Sequence, residues 1–284
     1  MSNKPSKILV VGATGTVGAG IVKQLLEKGH SVRATSRTAK KGEAGLEWVP
    51  FEATDAASVT RAFDGVDRAF LLSPPGYTDQ HALLSPMIAE AKKRGLKKVV
   101  LMTAMGVDAN EALPFRRVER ELEKSGVPYN IIRPNWFMQN FNTFWIHGIL
   151  TEKKIRLPGG DAKVSFIDSR DISDSATELL LNDRLSNQAF TLTGPDAVDH
   201  ARAASALSEV IGARVTYENA DPEAFKAGLI GAGVPADYAA LLVVLFEVLR
   251  AGHAAPVTGD VEKITGHKPR SLQQYAQDFR KSWI

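Results

Sequence analysis

Glycines at positions 12, 15 and 18 stand between an apolar run, Ile8-Leu9-Val10-Val11, and an amphipathic stretch over residues 17–28. A strand that turns sharply through glycines into a helix is a demanding pattern, and each glycine has its own physical reason. The first permits the tight turn, the second lets a diphosphate approach the backbone, and the third lets the helix pack closely on the strand. The helix N-terminus then offers free N–H groups and a positive partial charge to an anion. The loop Gly12-Ala13-Thr14-Gly15-Thr16-Val17-Gly18 therefore predicts a βαβ unit that binds a dinucleotide. Its spacing, G-x-x-G-x-x-G, is one residue longer at the start than the common dehydrogenase form.

The second strand bears on which dinucleotide. An NAD site commonly places Asp or Glu about 20 residues on, to accept the ribose 2′-hydroxyl. Residues 31–42 contain no acid and offer instead Arg33, Arg37, Lys40 and Lys41, with Thr35 and Ser36 as small hydrogen-bonding groups. A carboxylate repels a 2′-phosphate, whereas a guanidinium binds it in a fork. NADP(H) is the cofactor expected, with Arg37 and Ser36 at the 2′-phosphate; a merely solvated basic loop is the alternative.

Short apolar runs alternate with amphipathic segments through the first half, as in a parallel sheet covered by helices. Strands are predicted at 8–11, 31–36, 46–51, 68–72, 98–103 and 129–133, and helices at 17–28, 56–63, 79–94 and 114–125. The fold class expected is α/β: a Rossmann-type, doubly wound parallel sheet with helices on both faces and a smaller, mostly helical C-terminal lobe. Residues 1–150 are assigned to the NAD(P)-binding domain. Residues 151–284 are assigned to the smaller lobe, interleaved with the first and contributing to the substrate cleft. In this second part helices are predicted from about 168, over 200–211 and, with interruptions, over 221–250, and strands at 189–192 and 215–217. An aromatic-rich stretch over 136–145 reads as a helix.

The 35 basic and 32 acidic residues leave a net charge of +3, without the concentrated basic face of a nucleic-acid protein. Two basic runs, Lys92-Lys93-Arg94 with Lys97-Lys98 and Lys153-Lys154 with Arg156, lack interleaved aromatic residues. The first is expected to be a solvated helix end. Cysteine is absent, which removes disulfides, thiolate nucleophiles and cysteine metal sites and fits a reducing cytoplasm. The N-terminus is short and polar, and no signal peptide or membrane span is visible. No metal site, nucleic acid or membrane partner is expected.

The glycine loop and the basic second strand resemble the NmrA-like group of atypical short-chain dehydrogenases/reductases. So do Leu71-Leu72-Ser73-Pro74-Pro75, the run from Arg133 to Asn140, the run from Phe166 to Ile172, Leu192-Thr193-Gly194-Pro195 and the tail from Thr265 to Arg270. The resemblance implies that Leu72, Ser73 and Pro74 lie beside the nicotinamide ribose. It implies that Thr103 and Ala104, and then Pro134 and Asn135, end the next two strands at the cofactor. With Gly12, Thr14, Gly15, Thr16, Val17 and Gly18 these form the expected cofactor site. Each also has a structural reading, because prolines and small polar residues commonly terminate strands.

Ordinary short-chain dehydrogenases reduce carbonyls with Tyr-x-x-x-Lys, the tyrosine donating a proton and the lysine lowering its pKa. Four residues after the tyrosines at 77, 129, 217, 238 and 275 stand His81, Arg133, Asp221, Leu242 and Phe279. None is a lysine. Where the pair belongs the chain reads Phe115-Arg116-Arg117-Val118-Glu119, so no catalytic residue is assigned. Glu119 is read as a salt-bridge partner of Arg116 or Arg120 in preference to a catalytic acid. His81 and His147 are the histidines expected nearest the cleft.

Two functions stay open. One is an NADPH-dependent oxidoreductase reducing a quinone-like, azo or polycyclic acceptor, which takes its proton from water. For it Phe115, Trp136, Phe137 and Phe141, with Phe144 and Trp145 nearby, are the expected aromatic substrate wall, although part of that set is expected in the core. The other is a non-catalytic NAD(P)-binding redox sensor of the NmrA type. The partner expected is a small aromatic or conjugated molecule, with homodimerisation allowed.

Overall fold

The computed structural model describes residues 7–38 and 40–284; the polar N-terminal stretch before Lys7 lies outside them. Seven strands form the main sheet: β1 (Lys7–Val10), β2 (Ser31–Ser36), β3 (Leu46–Pro50), β4 (Arg68–Leu72), β5 (Lys98–Met102), β6 (Tyr129–Pro134) and β8 (Gln188–Leu192). Their order is β3-β2-β1-β4-β5-β6-β8. The pairs from β3 through β6 are parallel, and β8 runs the same way, since Asn187 pairs with Tyr129 and Leu192 with Asn135. The helices are α1 (Thr16–Glu27), α2 (Ala56–Ala62), α3 (Gln80–Lys93), α4 (Pro114–Glu123) and α6 (Ser169–Leu181). The chain winds from β1 outward to β3, then returns to the other side of β1 at β4. That reversal opens the crevice at the strands' carboxyl ends where α/β proteins bind ligands.

Strand alternation puts two cores on the sheet. Odd-numbered Leu9, Val11, Ala69, Leu71, Val99, Leu101 and Ile131 join apolar side chains of α2, α3 and α4 in one continuous cluster. Even-numbered Ile8, Val10, Phe70, Val100 and Ile132 are buried on the opposite face. There α1 and α6 meet closely: a methyl group on Gly20 would lie 2.6 Å from Ser173 Oγ, which donates to the Val17 carbonyl at 2.9 Å.

The chain forms two compact units, Met1–Arg133 with Ile172–Thr191, and Pro134–Asp171 with Leu192–Ile284. The second unit contains β7 (Lys154–Leu157) and β9 (Thr216–Asn219), paired in parallel, with α5 (Ile146–Glu152), α7 (His200–Ile211), α8 (Pro222–Gly231), α9 (Ala236–Arg250), α10 (Asp260–Thr265) and α11 (Leu272–Asp278). β7 corrects the sequence reading, which saw only a basic run there. Its cations are paired, Lys154 and Arg156 with Glu218 and Arg156 with Glu152. The aromatic stretch is a 3-10 turn over Met138–Asn142 followed by α5, not one helix. The solvated reading of the first basic run also fails at Lys98, which starts β5 fully buried, its ammonium donating to Ser186 Oγ at 2.6 Å.

Within the second unit His200 is fully buried. Its ring stacks on Tyr217 with centroids 5.2 Å apart and meets Phe166 edge-on at 5.5 Å. Neither ring nitrogen has a hydrogen-bond partner among the described residues. Burial pushes the imidazole down to about 4 from 6.5, against the opposing pull of Asp199. The unfolded chain therefore takes up a proton at a pH where the folded chain does not. Stability from the neutral ring is present above pH 6.5 and lost as the pH falls toward 4, by about 3 kcal/mol. Denaturant midpoints measured across this window are expected to fall with pH, and His200→Phe is expected to remove that part of the fall.

Candidate functional site

The glycine loop is built by contacts that leave no room for side chains. Gly12 has φ +72°, a backbone that L-residues avoid. A methyl group on Gly18 would lie 2.2 Å from the Gly12 carbonyl oxygen and 2.9 Å from Ala13 Cα. The Gly15 N–H closes the turn onto that same carbonyl at 2.9 Å. Thr14, Gly15 and Thr16 are exposed, and Val17 and Gly18 are buried beneath them. Helix α1 has Gly15 at its N-cap, with no side-chain cap and no acid in its first turn, so its first N–H groups remain for an anion. These features fit a diphosphate: a cradle of backbone donors with the space a Cβ would fill.

Thr35 is a member of this site that the sequence reading valued only as a small donor. Its Oγ1 accepts from the Gly12 N–H at 3.0 Å and donates to the Val10 carbonyl at 3.4 Å. It thus fastens the end of β2 to the turn after β1. Leu72, at the end of β4, closes the other side; its methyls lie 3.0–3.1 Å from where a Gly12 Cβ would sit. Ser73 and Pro74 follow, half-buried, with Ser73 Oγ donating to the Pro74 carbonyl at 3.2 Å.

The basic residues of the second strand separate by burial. Arg33 is buried, ion-paired with Glu47, and donates to the Arg61 carbonyl at 2.9 Å. It is spent on structure. Lys40 lies over the Trp48 ring, 4.6 Å from its centroid. Arg37 is exposed and has no ion pair among the described residues. Ser36 shapes its turn, its Oγ accepting from the Thr38 N–H at 3.3 Å.

At the end of β5, Thr103 is buried and Ala104 half-buried. Thr103 Oγ1 donates to Glu119 Oε1 at 2.7 Å. Glu119 is also held by Arg116 at 2.6 Å and by a two-pronged contact from Arg133 at 2.9 and 2.7 Å. The Arg116 pair was legible from helical spacing; the expected alternative, Arg120, bonds instead to Glu111 and Glu123. Arg133 is the partner that local spacing could not supply. Phe115 packs half-buried against the core beneath α3 and α4. His81 pairs with Glu121 at 3.3 Å, and His147 is exposed.

Pro134 and Asn135 open the second unit, and both are buried. The Asn135 side-chain NH2 donates to Ser165 Oγ and to the Ala254 carbonyl, each at 2.8 Å. Trp136 and Phe137 are half-buried, Trp136 lying 4.8 Å from the Phe246 ring. Phe141 corrects the sequence reading: it has no exposed surface, packs edge-on against Trp145 at 4.9 Å, and belongs to the second core. A ligand cannot touch it. Phe144, at 76% exposed, is the opposite case.

The runs singled out by resemblance carry structural chemistry as well. Asp168 is fully buried and grips Arg170, which reaches on to Asp278. Gly194 lets two backbones meet, since a methyl there would lie 2.0 Å from the Phe166 carbonyl oxygen.

Residues 4–280 match the model of the NmrA-like family. The chain belongs to that family. It is 34% identical over 284 residues to the uncharacterized oxidoreductase YesF of Bacillus subtilis (strain 168), covering 99% of this chain and 97% of the relative. It is 30% identical over 278 residues to the NAD(P)H azoreductase of Xenophilus azovorans, covering 95% and 96%. The NADPH complex of the quinone oxidoreductase QOR2 from Escherichia coli has the same fold, with a TM-score of 0.82, 22% identity and coverage of 96% of this chain and 99% of that one. Among the described residues no helix is long and apolar enough to cross a membrane.

Gly18→Ala is expected to push α1 off the turn and to weaken dinucleotide binding by tenfold or more (~1.4 kcal/mol or above). Thr35→Val, which keeps the side-chain shape but loses both hydrogen bonds, is expected to act in the same direction more mildly. Calorimetric titration beside a thermal melt measures both effects.

Proposed function

We propose that this protein is an NADPH-dependent oxidoreductase that reduces an electron-poor conjugated or aromatic acceptor of quinone-like, azo or polycyclic type. The observation that carries the cofactor choice is the end of β2, where burial removes Arg33 and leaves Arg37 exposed in a stretch, residues 31–42, that contains no acid. In this reading Gly12, Thr14, Gly15, Thr16, Val17 and Gly18 hold the diphosphate through backbone N–H groups. Arg37 and Ser36 take the 2′-phosphate, and Leu72, Ser73, Pro74, Thr103 and Ala104 border the nicotinamide ribose. Bound NADPH supplies a hydride.

Two residues support the acceptor class. Phe115 has no proton to give, and Glu119 is enclosed by two guanidinium groups. A simple ketone needs a proton at its oxygen as the hydride arrives. A quinone or azo compound spreads the incoming charge over a conjugated system and takes its proton from water. What the chain supplies is then proximity and orientation. The azoreductase among the relatives is in keeping with this acceptor class.

The test is NADPH oxidation against a panel of quinones, azo dyes and polycyclic aromatics. Turnover of at least one class is expected; silence across the panel, with NADPH binding confirmed by calorimetry, would leave the sensor reading in place. Arg37→Glu is expected to weaken NADPH by about 10- to 100-fold, the worth of a charged hydrogen bond, while NADH affinity changes little. Equal NADPH affinity in variant and wild type would sink the cofactor assignment.

A further inference from the structure

Glu119 has no exposed surface, and both of its oxygens are filled. Oε1 accepts from Thr103 Oγ1 and Arg133 Nε, and Oε2 from Arg116 Nη1 and Arg133 Nη2. Asp108 fixes Arg133 from its other side at 2.6 Å. Guanidinium groups only donate, and a carboxyl group gripped by two of them is an anion that only accepts. One direction is therefore left for the contact between Thr103 and Glu119: the hydroxyl gives up its proton to the carboxylate. A hydroxyl has one donor and two lone pairs. With its donor spent, Thr103 offers lone pairs alone.

The position of that hydroxyl gives the constraint a use. Thr103 is the residue after β5, and its N–H is pinned to the Ile132 carbonyl at 2.9 Å. Its oxygen therefore stands at the carboxyl end of a strand beside β4, on the edge of the sheet that carries the glycine loop. We propose that Glu119 is a positioning residue that fixes Thr103 as an acceptor-only hydroxyl. Thr103 then receives a hydrogen bond from a donor on the nicotinamide half of the dinucleotide, either a ribose hydroxyl or the carboxamide N–H. This rests on the cofactor reading above. It also removes Thr103 as the acid in any reduction, because its proton is held by an anion.

Thr103→Val keeps the side-chain shape and deletes the oxygen, and Thr103→Ser keeps the oxygen. Titrations compare NADPH with adenosine 2′,5′-diphosphate, which lacks the nicotinamide half. The valine variant is expected to bind NADPH about tenfold more weakly and adenosine 2′,5′-diphosphate as wild type does, with serine restoring NADPH affinity. Unchanged NADPH affinity in the valine variant, or equal losses for both ligands, would overturn the proposal. A wild-type protein that binds neither ligand would instead sink the underlying cofactor reading.

The 3-acetylpyridine analogue of NADPH, which keeps the ribose and lacks the amide, separates the two donors. An equal loss with it assigns the ribose hydroxyl, and no loss assigns the carboxamide. Glu119→Gln is expected to weaken NADPH in the wild-type background and to add nothing in the Thr103→Val background; additive losses would overturn the role of Glu119. Because removing that charge strands two buried guanidiniums, the Thr103 variants carry the test wherever Glu119→Gln does not fold.

Discussion

The close approach of Gly18 to the Gly12 carbonyl is the contact on which the first unit turns. With 2.2 Å between that oxygen and any Cβ on Gly18, only glycine brings α1 down onto the turn after β1. Several features follow from that one distance. The N-terminus of α1 is aimed at the loop, the Gly12 N–H is left for Thr35 to hold, and Leu72 fills the far side. Two residues further along, Gly20 brings in α6 through Ser173, which completes the second face of the sheet. A binding loop and a packing interface are thus set by the same run of small residues.

Burial, more than residue type, decides what the charged groups do. Arg33 and Arg37 lie four positions apart around the end of one strand. The first is a buried cation paired with Glu47, and the second is exposed with no ion pair among the described residues. Glu119 shows the same logic for a carboxylate. Its side chain would suit general acid–base work if it faced solvent with one open valence. Enclosed by Arg116, Arg133 and Thr103, it is a fixed negative charge whose effect is to orient a neighbour.

Much of this was legible in the sequence, wherever the signal is local. The strand-glycine-helix run, the apolar strand cores and the acid-free end of β2 are all read within windows of twenty residues or fewer, and the parallel α/β sheet follows from their alternation. What escaped is long-range or two-faced. β7 hid as a basic run because its outward side chains are cations that need Glu218, more than sixty positions away, to make sense of them. Arg133 was invisible as a partner of Glu119 because helical spacing points only to neighbours on α4. Phe141 and Phe144 look alike in sequence, yet one is sealed in a core and the other stands in solvent; an aromatic run does not say which rings face inward.

Phe115 and Glu119, standing where the resemblance places a tyrosine and a lysine, imply a change of electrostatics as well as the lack of an acid there. A lysine there would bring a cation to the end of β5; this chain brings an anion and then balances it with two arginines. The balanced group is buried, and both of its oxygens are filled by donors. Its one remaining influence runs through the Thr103 hydroxyl, whose direction it dictates. In the proposed reading such a site orients bound groups and leaves proton transfer to water. That division suits acceptors whose own conjugation stabilises the charge they receive, which is the physical ground for proposing a quinone-like or azo acceptor over a simple ketone.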